Sequence, residues 1–273
     1  MLLQSRPLAW WVFFLLLPGC SGYQYVASPR YLPSNEKKGN LTANVYLSGA
    51  QIGYAFSNNF SVFTTGYMRY KTVGAVNPFI GTEGTDDRSG DSREINLGLS
   101  YFGNKNKFLY EVLVGGGFGD MTFRNDHHGA KNRDLDYLFE MQADRSNIFI
   151  QPNLSYKLFN NAKKFKITVA AFTKFNKVYY HNIKTQTVSG FPTNPTKPDF
   201  DSGIEYFSAR QQAHLFFIEP GVHVNIGWKT FRGIAQIAPV INASGHALHY
   251  QMISINAGLS MSLNLLKKKN SLE

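Results

Sequence analysis

Cysteine is almost absent from this chain of 273 residues, in which Cys20 is the only example. A lone cysteine cannot form an internal disulfide, and it offers no paired-cysteine motif for zinc or redox chemistry. Long apolar runs are also missing. No segment reaches the ~20 apolar residues of a transmembrane helix. Acidic residues are outnumbered by basic ones, 18 against 28, which gives a formal net charge of +10.

That positive charge alone could indicate a nucleic-acid-binding protein. No basic helix, glycine-rich phosphate loop or zinc spacing accompanies the charge, so we predict no nucleic-acid partner and no cofactor. Lysines are instead concentrated in short candidate turns and in the C-terminal tail, at Lys105, Lys107, Lys163, Lys164, Lys229, Lys267, Lys268 and Lys269. Each lysine near anionic headgroups contributes ~1 kcal/mol of attraction, so we interpret the excess charge as a membrane-surface property.

The chain opens with the pattern of a secretory signal peptide. Basic Arg6 precedes an apolar run from Leu8 to Leu17, which is too short for a permanent membrane helix. The run leads into Leu17-Pro18-Gly19-Cys20, which resembles a bacterial lipobox, where cleavage before the cysteine leaves a diacylated N-terminal residue. We predict a signal peptide over residues 1–19 and lipidation of Cys20, with two acyl chains holding the protein on a membrane.

Aromatic residues make up 15% of the chain and glycines number 24, whereas helical periodicity is hard to find. Apolar and polar residues alternate instead, which predicts strands with one apolar face. Strands are predicted at Leu41–Phe56, Phe60–Lys71, Arg93–Phe102, Phe108–Phe123, Asn147–Phe159, Phe165–Tyr180, Leu215–Trp228, Arg232–Asn242 and Tyr250–Leu265. In the last of these, we expect Ile255 and Leu259 to face lipid and Asn256 and Ser260 to face inward.

The connections between these strands alternate in length. Short connections are predicted at Ser57–Asn59, Asn104–Lys107, Asn160–Lys164 and Trp228–Phe231. Longer ones are predicted at about Thr72–Ser92, Arg124–Ser146 and His181–Gln212, with a shorter loop at Ser244–His249. This alternation is typical of outer-membrane barrels. We therefore predict an all-β fold, a transmembrane antiparallel up-and-down β-barrel with short periplasmic turns and long outer loops.

The strand number is predicted as eight to ten, with ten favoured. The segments from Leu41 onward give nine, whereas single-chain bacterial barrels have an even number. An ascending first strand at Tyr23–Pro33, followed by an outer turn at Ser34–Asn40, gives ten and puts Cys20 beside the inner leaflet. Eight stays open if Leu41–Phe56 lies partly outside the barrel or an irregular tether fills the lumen. The predicted divisions are a lipidated segment over residues 20–40, the barrel over 41–266 and a basic tail over 267–273.

The inward positions of the predicted strands include charged residues that we interpret as a polar network in the lumen. Its predicted members are Glu94, Glu111, Lys157, Lys166, Lys174, Glu219, His223 and Arg232. Because an isolated buried charge is costly, Glu111 and Glu219 are expected to pair with the lysines and the arginine across a narrow, largely filled interior. The alternative is a proton or solute path in which His223 titrates.

Two further motifs carry weaker predictions. Asp126-His127-His128, expected in an outer loop, could suggest a metal site or an acid/base pair, but adjacent histidines do not specify ligand geometry. Solvated loop residues are the preferred interpretation, and no metal site is predicted. Gly115-Gly116-Gly117 and Gly119 lack the Lys-Ser/Thr of a phosphate loop. Close packing against a bulky inward residue, or a bend in the wall, explains these glycines.

The strand pattern resembles small outer-membrane β-barrels of the OmpA/OmpX-like kind. The lipobox, Tyr31-Leu32-Pro33 with Glu36-Lys37-Lys38-Gly39, and Phe149-Ile150-Gln151-Pro152 look more particularly like lipoprotein barrels of Bacteroidota. This resemblance implies a non-enzymatic accessory or structural subunit of a larger envelope transport or secretion complex, with outer-membrane lipids and another envelope protein as partners. A narrow channel or small-ligand-binding barrel is the first alternative, and an outer-membrane hydrolase is the second.

Overall fold

The strands close into one antiparallel ring. A computed structural model describes residues 25, 27, 37–69, 85–128, 137–161, 165–188, 207, 210–228, 230–245 and 253–266. Its strands are Asn40–Tyr46 (β1), Gly49–Ala55 (β2), Phe60–Arg69 (β3), Thr85–Lys105 (β4), Phe108–His128 (β5), Tyr137–Asn161 (β6), Phe165–Val188 (β7), Ala213–Gly227 (β8), Phe231–Pro239 (β9), Ile241–Asn242 (β10) and Ile253–Asn264 (β11). Among these residues, no helix has the length and apolar character needed to cross a bilayer.

The ring has ten members, as favoured from the sequence. Each strand from β1 to β9 pairs with the next, β11 pairs with both β9 and β1, and the seam between β1 and β11 closes the barrel. The two-residue β10 continues β9 in the register that β9 keeps with β8. The up-and-down topology predicted from the alternating loop lengths is therefore confirmed.

The tenth strand arises differently from the prediction. Leu41–Phe56, predicted as one strand, is a hairpin of β1 and β2 in which Tyr46 pairs with Gly49. Only Leu47 and Ser48 form the turn, which is the shortest common hairpin connection. The proposal of a first strand at Tyr23–Pro33 is wrong for the ring, because β1 begins at Asn40 and pairs directly with β11.

The two ends of the barrel differ. We call the end with the connections at 56–59, 106–107, 162–164 and 228–230 the short-turn end, and the opposite end the long-loop end. Of the turn lysines predicted to carry the surface charge, Lys105 and Lys107 are exposed at the short-turn end, and Lys37 and Lys38 are exposed there as well. There the seam is fastened by Gly39, whose N–H donates to Ala55 O at 2.8 Å and whose carbonyl accepts from Leu265 N at 2.9 Å.

The strands reach further toward the long-loop end than the sequence suggested. The predicted loops Thr72–Ser92, Arg124–Ser146 and His181–Gln212 are each partly strand, because β4 to β7 stay paired as far as Thr85, His128, Tyr137 and Val188. Asp126-His127-His128 accordingly belongs to β5 and not to an outer loop. The positions of these three side chains lie outside the described residues.

Candidate functional site

The outer wall carries a continuous apolar belt. Leu259 is 70% exposed on this face whereas neighbouring Ser260 is 3% exposed, which confirms the predicted faces at these two positions of the last strand. Ile255 and Asn256, predicted outward and inward, are both half-buried. Exposed apolar residues from strands around the wall include Val45, Ile52, Val62, Leu97, Leu99, Val112, Val114, Ile148, Ile150, Leu154, Val222, Ile226, Ile237 and Leu259. An exposed apolar surface of this extent indicates contact with lipid or protein.

Aromatic side chains edge this belt at the short-turn end. Successive strands place Phe60 against Tyr101 with ring centroids 5.3 Å apart, and Phe108 against Tyr156 at 5.0 Å. Phe165 packs edge-on against Trp228 across the next part of the wall at 6.2 Å. An aromatic girdle at the edge of an apolar band is typical of barrels that span a bilayer.

At the long-loop end, apolar side chains occupy the inside of the barrel. In β6, Phe139, Met141 and Ala143 point inward while Glu140 and Gln142 point outward. The apolar face of the strand therefore changes sides between the part beyond the belt and the part within it. The resulting cluster, which we call the upper core, contains Tyr25, Ala27, Met121, Phe123, Phe139, Met141, Ala143, Val178, Tyr180, Ile183, Phe207, Ala213, Leu215, Phe217 and Val240.

A buried ion pair lies directly below the upper core. Arg145 Nη2 is 2.9 Å from Glu94 Oε2, and both side chains are 1% exposed. The other carboxylate oxygen of Glu94 accepts from Asn96 Nδ2 at 2.7 Å and from Asn147 Nδ2 at 3.2 Å. Such additional hydrogen bonds are what a buried ion pair needs to offset the loss of water.

The side chain of Tyr25 lies inside the barrel at this level. Its hydroxyl donates to Glu219 Oε1 and accepts from Asn176 Nδ2 at 2.9 Å. The ring stacks on Phe217 with centroids 3.6 Å apart, and the Arg145 guanidinium carbon lies 4.8 Å from its centre. Tyr25 is only 1% exposed, so this residue, which precedes all the strands in the sequence, fills part of the interior.

The middle of the interior is filled by bulky side chains opposite glycines. Phe63, Leu113 and Phe149 form a buried cluster, and Lys174 Nζ lies 4.4 Å from the centre of the Phe149 ring. A Cβ added to Gly115 would stand 2.8 Å from Phe149 Cζ, which leaves no room for a side chain. Close packing against a bulky inward residue, as predicted for this glycine run, is confirmed at Gly115.

Polar residues line the interior below these aromatic rings. Glu111 is 3% exposed and accepts from Asn153 Nδ2 at 3.5 Å, while Asn153 Oδ1 accepts from Gln151 Nε2 at 2.9 Å. The hydroxyls of Ser61 and Ser100 are 2.5 Å apart nearby in the register of β3 and β4. At this level Glu111 Oε1 and Asn225 Oδ1 are buried oxygens without a protein hydrogen-bond partner, and buried oxygens of this kind usually bind water.

Six of the predicted lumen residues are buried inside, and two lie nearer the rim. The buried ones are Glu94, Glu111, Lys174, Glu219, His223 and Arg232, whereas Lys157 and Lys166 are half-buried close to the short-turn end. Lys174 stands directly opposite Glu219 in the β7–β8 register, which agrees with the expected pairing. The expected charge partner of Glu111 is not found among its described contacts, which are to neutral side chains.

Sequence reasoning missed Arg145 and Tyr25. Arg145 fell in a predicted loop, although the alternation of Phe139, Met141 and Ala143 continues through it and could have extended the strand. Tyr25 has no comparable signal, because its partners are more than 100 residues away in the sequence.

A cavity of about 680 Å³ lies at the long-loop end beside β5, β6 and β7. A register shift opposite Ala143 lets Asn182 adopt a φ of 52° and donate to Asp144 Oδ2 at 2.6 Å. Such bulges re-aim side chains at functional surfaces. The lining residues are Asp120, Met121, Thr122, Gln142, Ala143, Asp144, Asn182, Ile183, Lys184, Gln211 and Gln212.

Within the described ranges, no group of three or more His, Cys, Asp or Glu side chains is arranged to hold a metal ion. Comparisons of the chain with known protein families and with curated protein sequences returned no match, so its role must be inferred from its own residues.

Proposed function

We propose that this chain is a non-enzymatic outer-membrane β-barrel lipoprotein that serves as an accessory or structural subunit of an envelope transport or secretion complex. The observation that carries the proposal is the filled interior. The upper core, the Glu94–Arg145 layer and the Phe63–Leu113–Phe149 cluster occupy successive levels inside the wall. A barrel without an open lumen acts through its surfaces.

The outer wall supports a membrane position. The apolar belt is edged by aromatic rings at the short-turn end, where Lys105 and Lys107 are exposed next to it. Lysines there suit anionic headgroups, which favours a periplasmic position for the short turns and an outer position for the long loops. The signal-peptide pattern and the lipobox-like Cys20 support lipid anchoring, and both lie outside the described residues.

The polar surface beyond the belt is the contact region that we propose for a protein partner. Asp120 and Asp144 are exposed there and face each other in the β5–β6 register, beside the 680 Å³ cavity. Like charges in direct cross-strand contact are destabilising unless something else compensates them. Asp120 also faces the exposed Arg93 in the β4–β5 register, and Asp144 accepts from Asn182, so the chain compensates part of this repulsion itself. A partner that presents basic or amide side chains would complete the compensation.

The test is purification of the tagged protein from native membranes in mild detergent, with mass spectrometry of whatever remains bound. Asp120→Arg with Asp144→Arg should release the partner, whereas Lys107→Glu, an exposed charge change at the short-turn end, should retain it. The same spectra should show an acylated Cys20 as the first residue. Purification of the unaltered protein without a reproducible partner would contradict the accessory role, and an unmodified chain that keeps residues 1–19 would contradict lipid anchoring.

The narrow-channel alternative is favoured by one observation, the unpartnered polar atoms of the short-turn half. His223 Nδ1 and Asn225 Oδ1 are among them. Water around these atoms would give a polar compartment, and a solute path would further require an opening through the upper core.

A further inference from the structure

The contacts of Tyr25 fix the depth at which the N-terminal segment is held. Phe217, on which the Tyr25 ring stacks, lies four residues after the start of β8 at the long-loop end and ten before its end at the short-turn end. Ten residues of a strand tilted by ~40° rise about 25 Å along the barrel axis. Tyr25 is therefore held close to the long-loop border of the apolar belt.

The same level is marked on the outside of the wall. On β7, Phe175 is the last apolar outward residue before Lys177, and on β6, Ile148 follows Ser146 at the same border. The pairing of Ile148 with Lys177 shows that both strands leave the belt together. Arg145, which contacts the Tyr25 ring, lies three residues beyond Ile148 on the long-loop side.

Chain length limits where an acylated Cys20 can be. Four residues separate it from Tyr25, and the five Cα-to-Cα steps of a fully extended chain span at most about 18 Å. The acyl chains must lie in lipid outside a closed wall, so the segment has to leave the barrel at one end. The short-turn border is about 25 Å away along the axis, farther than the backbone reaches. The buried cluster of Phe63, Leu113 and Phe149 also fills the interior on that side.

We propose that the chain on the N-terminal side of Tyr25 leaves the barrel at the long-loop end, so that the lipid on Cys20 is inserted in the outer leaflet. The inference rests on the lipidation and orientation given under the proposed function. It replaces the inner-leaflet position expected from a first strand at Tyr23–Pro33. The N-terminal segment thus binds the bilayer surface on the side of the long loops. This is the end opposite the short-turn end, where β1 begins at Asn40.

Single introduced cysteines test this placement, because acylation blocks the thiol of Cys20, the only native cysteine. Ser21→Cys reports on the anchor, since a residue next to an acylated cysteine lies at the headgroup level. Gln212→Cys, exposed at the long-loop end, and Lys107→Cys, exposed at the short-turn end, are matched references. Intact cells are treated with a maleimide carried on polyethylene glycol too large to cross the outer membrane, before and after membrane disruption.

We expect Ser21→Cys and Gln212→Cys to be labelled on intact cells and Lys107→Cys only after disruption. A Ser21→Cys protein that is acylated but stays unlabelled on cells where Gln212→Cys is labelled would overturn the outer-leaflet position and leave the proposed function intact. Labelling of Lys107→Cys but not of Gln212→Cys would instead show an inverted barrel. Absence of acylation in the mass spectrum would remove the lipoprotein proposal itself.

Discussion

Glu94 and Arg145 are both inaccessible to water, so neither charge can be solvated when its partner is removed. We expect Arg145→Leu to lower the free energy of unfolding by ~3–5 kcal/mol, because Glu94 would remain buried and uncompensated. Urea unfolding in lipid vesicles, followed by tryptophan fluorescence, measures the change. The double variant Glu94→Leu with Arg145→Leu should recover much of the loss, and Lys184→Leu, an exposed residue at the long-loop end, should change little. A double variant as unstable as the single one would contradict the importance of the unpaired charge.

Adding one methyl group at Gly115 tests how tightly the interior is packed. Gly115→Ala should cost ~1–3 kcal/mol of unfolding free energy, because the new Cβ would meet Leu97 O at 2.7 Å and Phe149 Cζ at 2.8 Å. Gly66→Ala is the control, since a Cβ there meets nothing within 4 Å. The free energies of unfolding of the two variants, measured by urea in lipid vesicles, are compared. Equal stability would mean that the interior yields around Phe149.

Strand β11 exposes Ile253 and Leu259 on the face that is proposed to contact lipid, and this allows its register to be tested. Leu259→Arg should destabilise the barrel by ~2–4 kcal/mol, the cost of a charge near the bilayer midplane. Leu47→Arg should cost far less, because Leu47 is 95% exposed at the tip of the β1–β2 hairpin, near the border of the belt. The fraction folded in vesicles as urea is varied measures both changes. Similar losses at the two positions would contradict the assigned depth.

The alternation in β11 and in β8 from Ile218 onward predicts those strands, because apolar residues on the outer face and polar groups inside repeat with one period along their length. The upper part of β6 obeys the opposite rule, with water outside and an apolar core inside. Both rules give the same period of two, so the period identifies a strand without saying which face is buried. The mixed charges of this segment, Glu140, Asp144 and Arg145, favoured the predicted loop Arg124–Ser146 over a strand, although the period of two continues through it. Glu94 and Glu219 could be predicted as inward, but their partners Arg145 and Tyr25 depend on the closed ring.

The molecule as a whole is a wall around a filled interior, which predicts its electrical behaviour. Planar-bilayer recordings of the purified protein should show no stable conductance, since the upper core closes the long-loop end of the interior. A general diffusion porin in the same bilayer is the positive control. Stable and solute-selective conductance that is altered by His223→Ala would support the channel alternative instead.

The position of Tyr25 also imposes an order of events on assembly. Its partners are on β6, β7 and β8, whereas the ring is sealed elsewhere, by the pairing of β1 with β11. An acylated N-terminus cannot be drawn through a finished barrel whose interior is packed with side chains. With the proposed cleavage and lipidation at Cys20, Tyr25 must therefore be inside the ring before β11 pairs with β1, and the lipid must cross the bilayer before the wall closes.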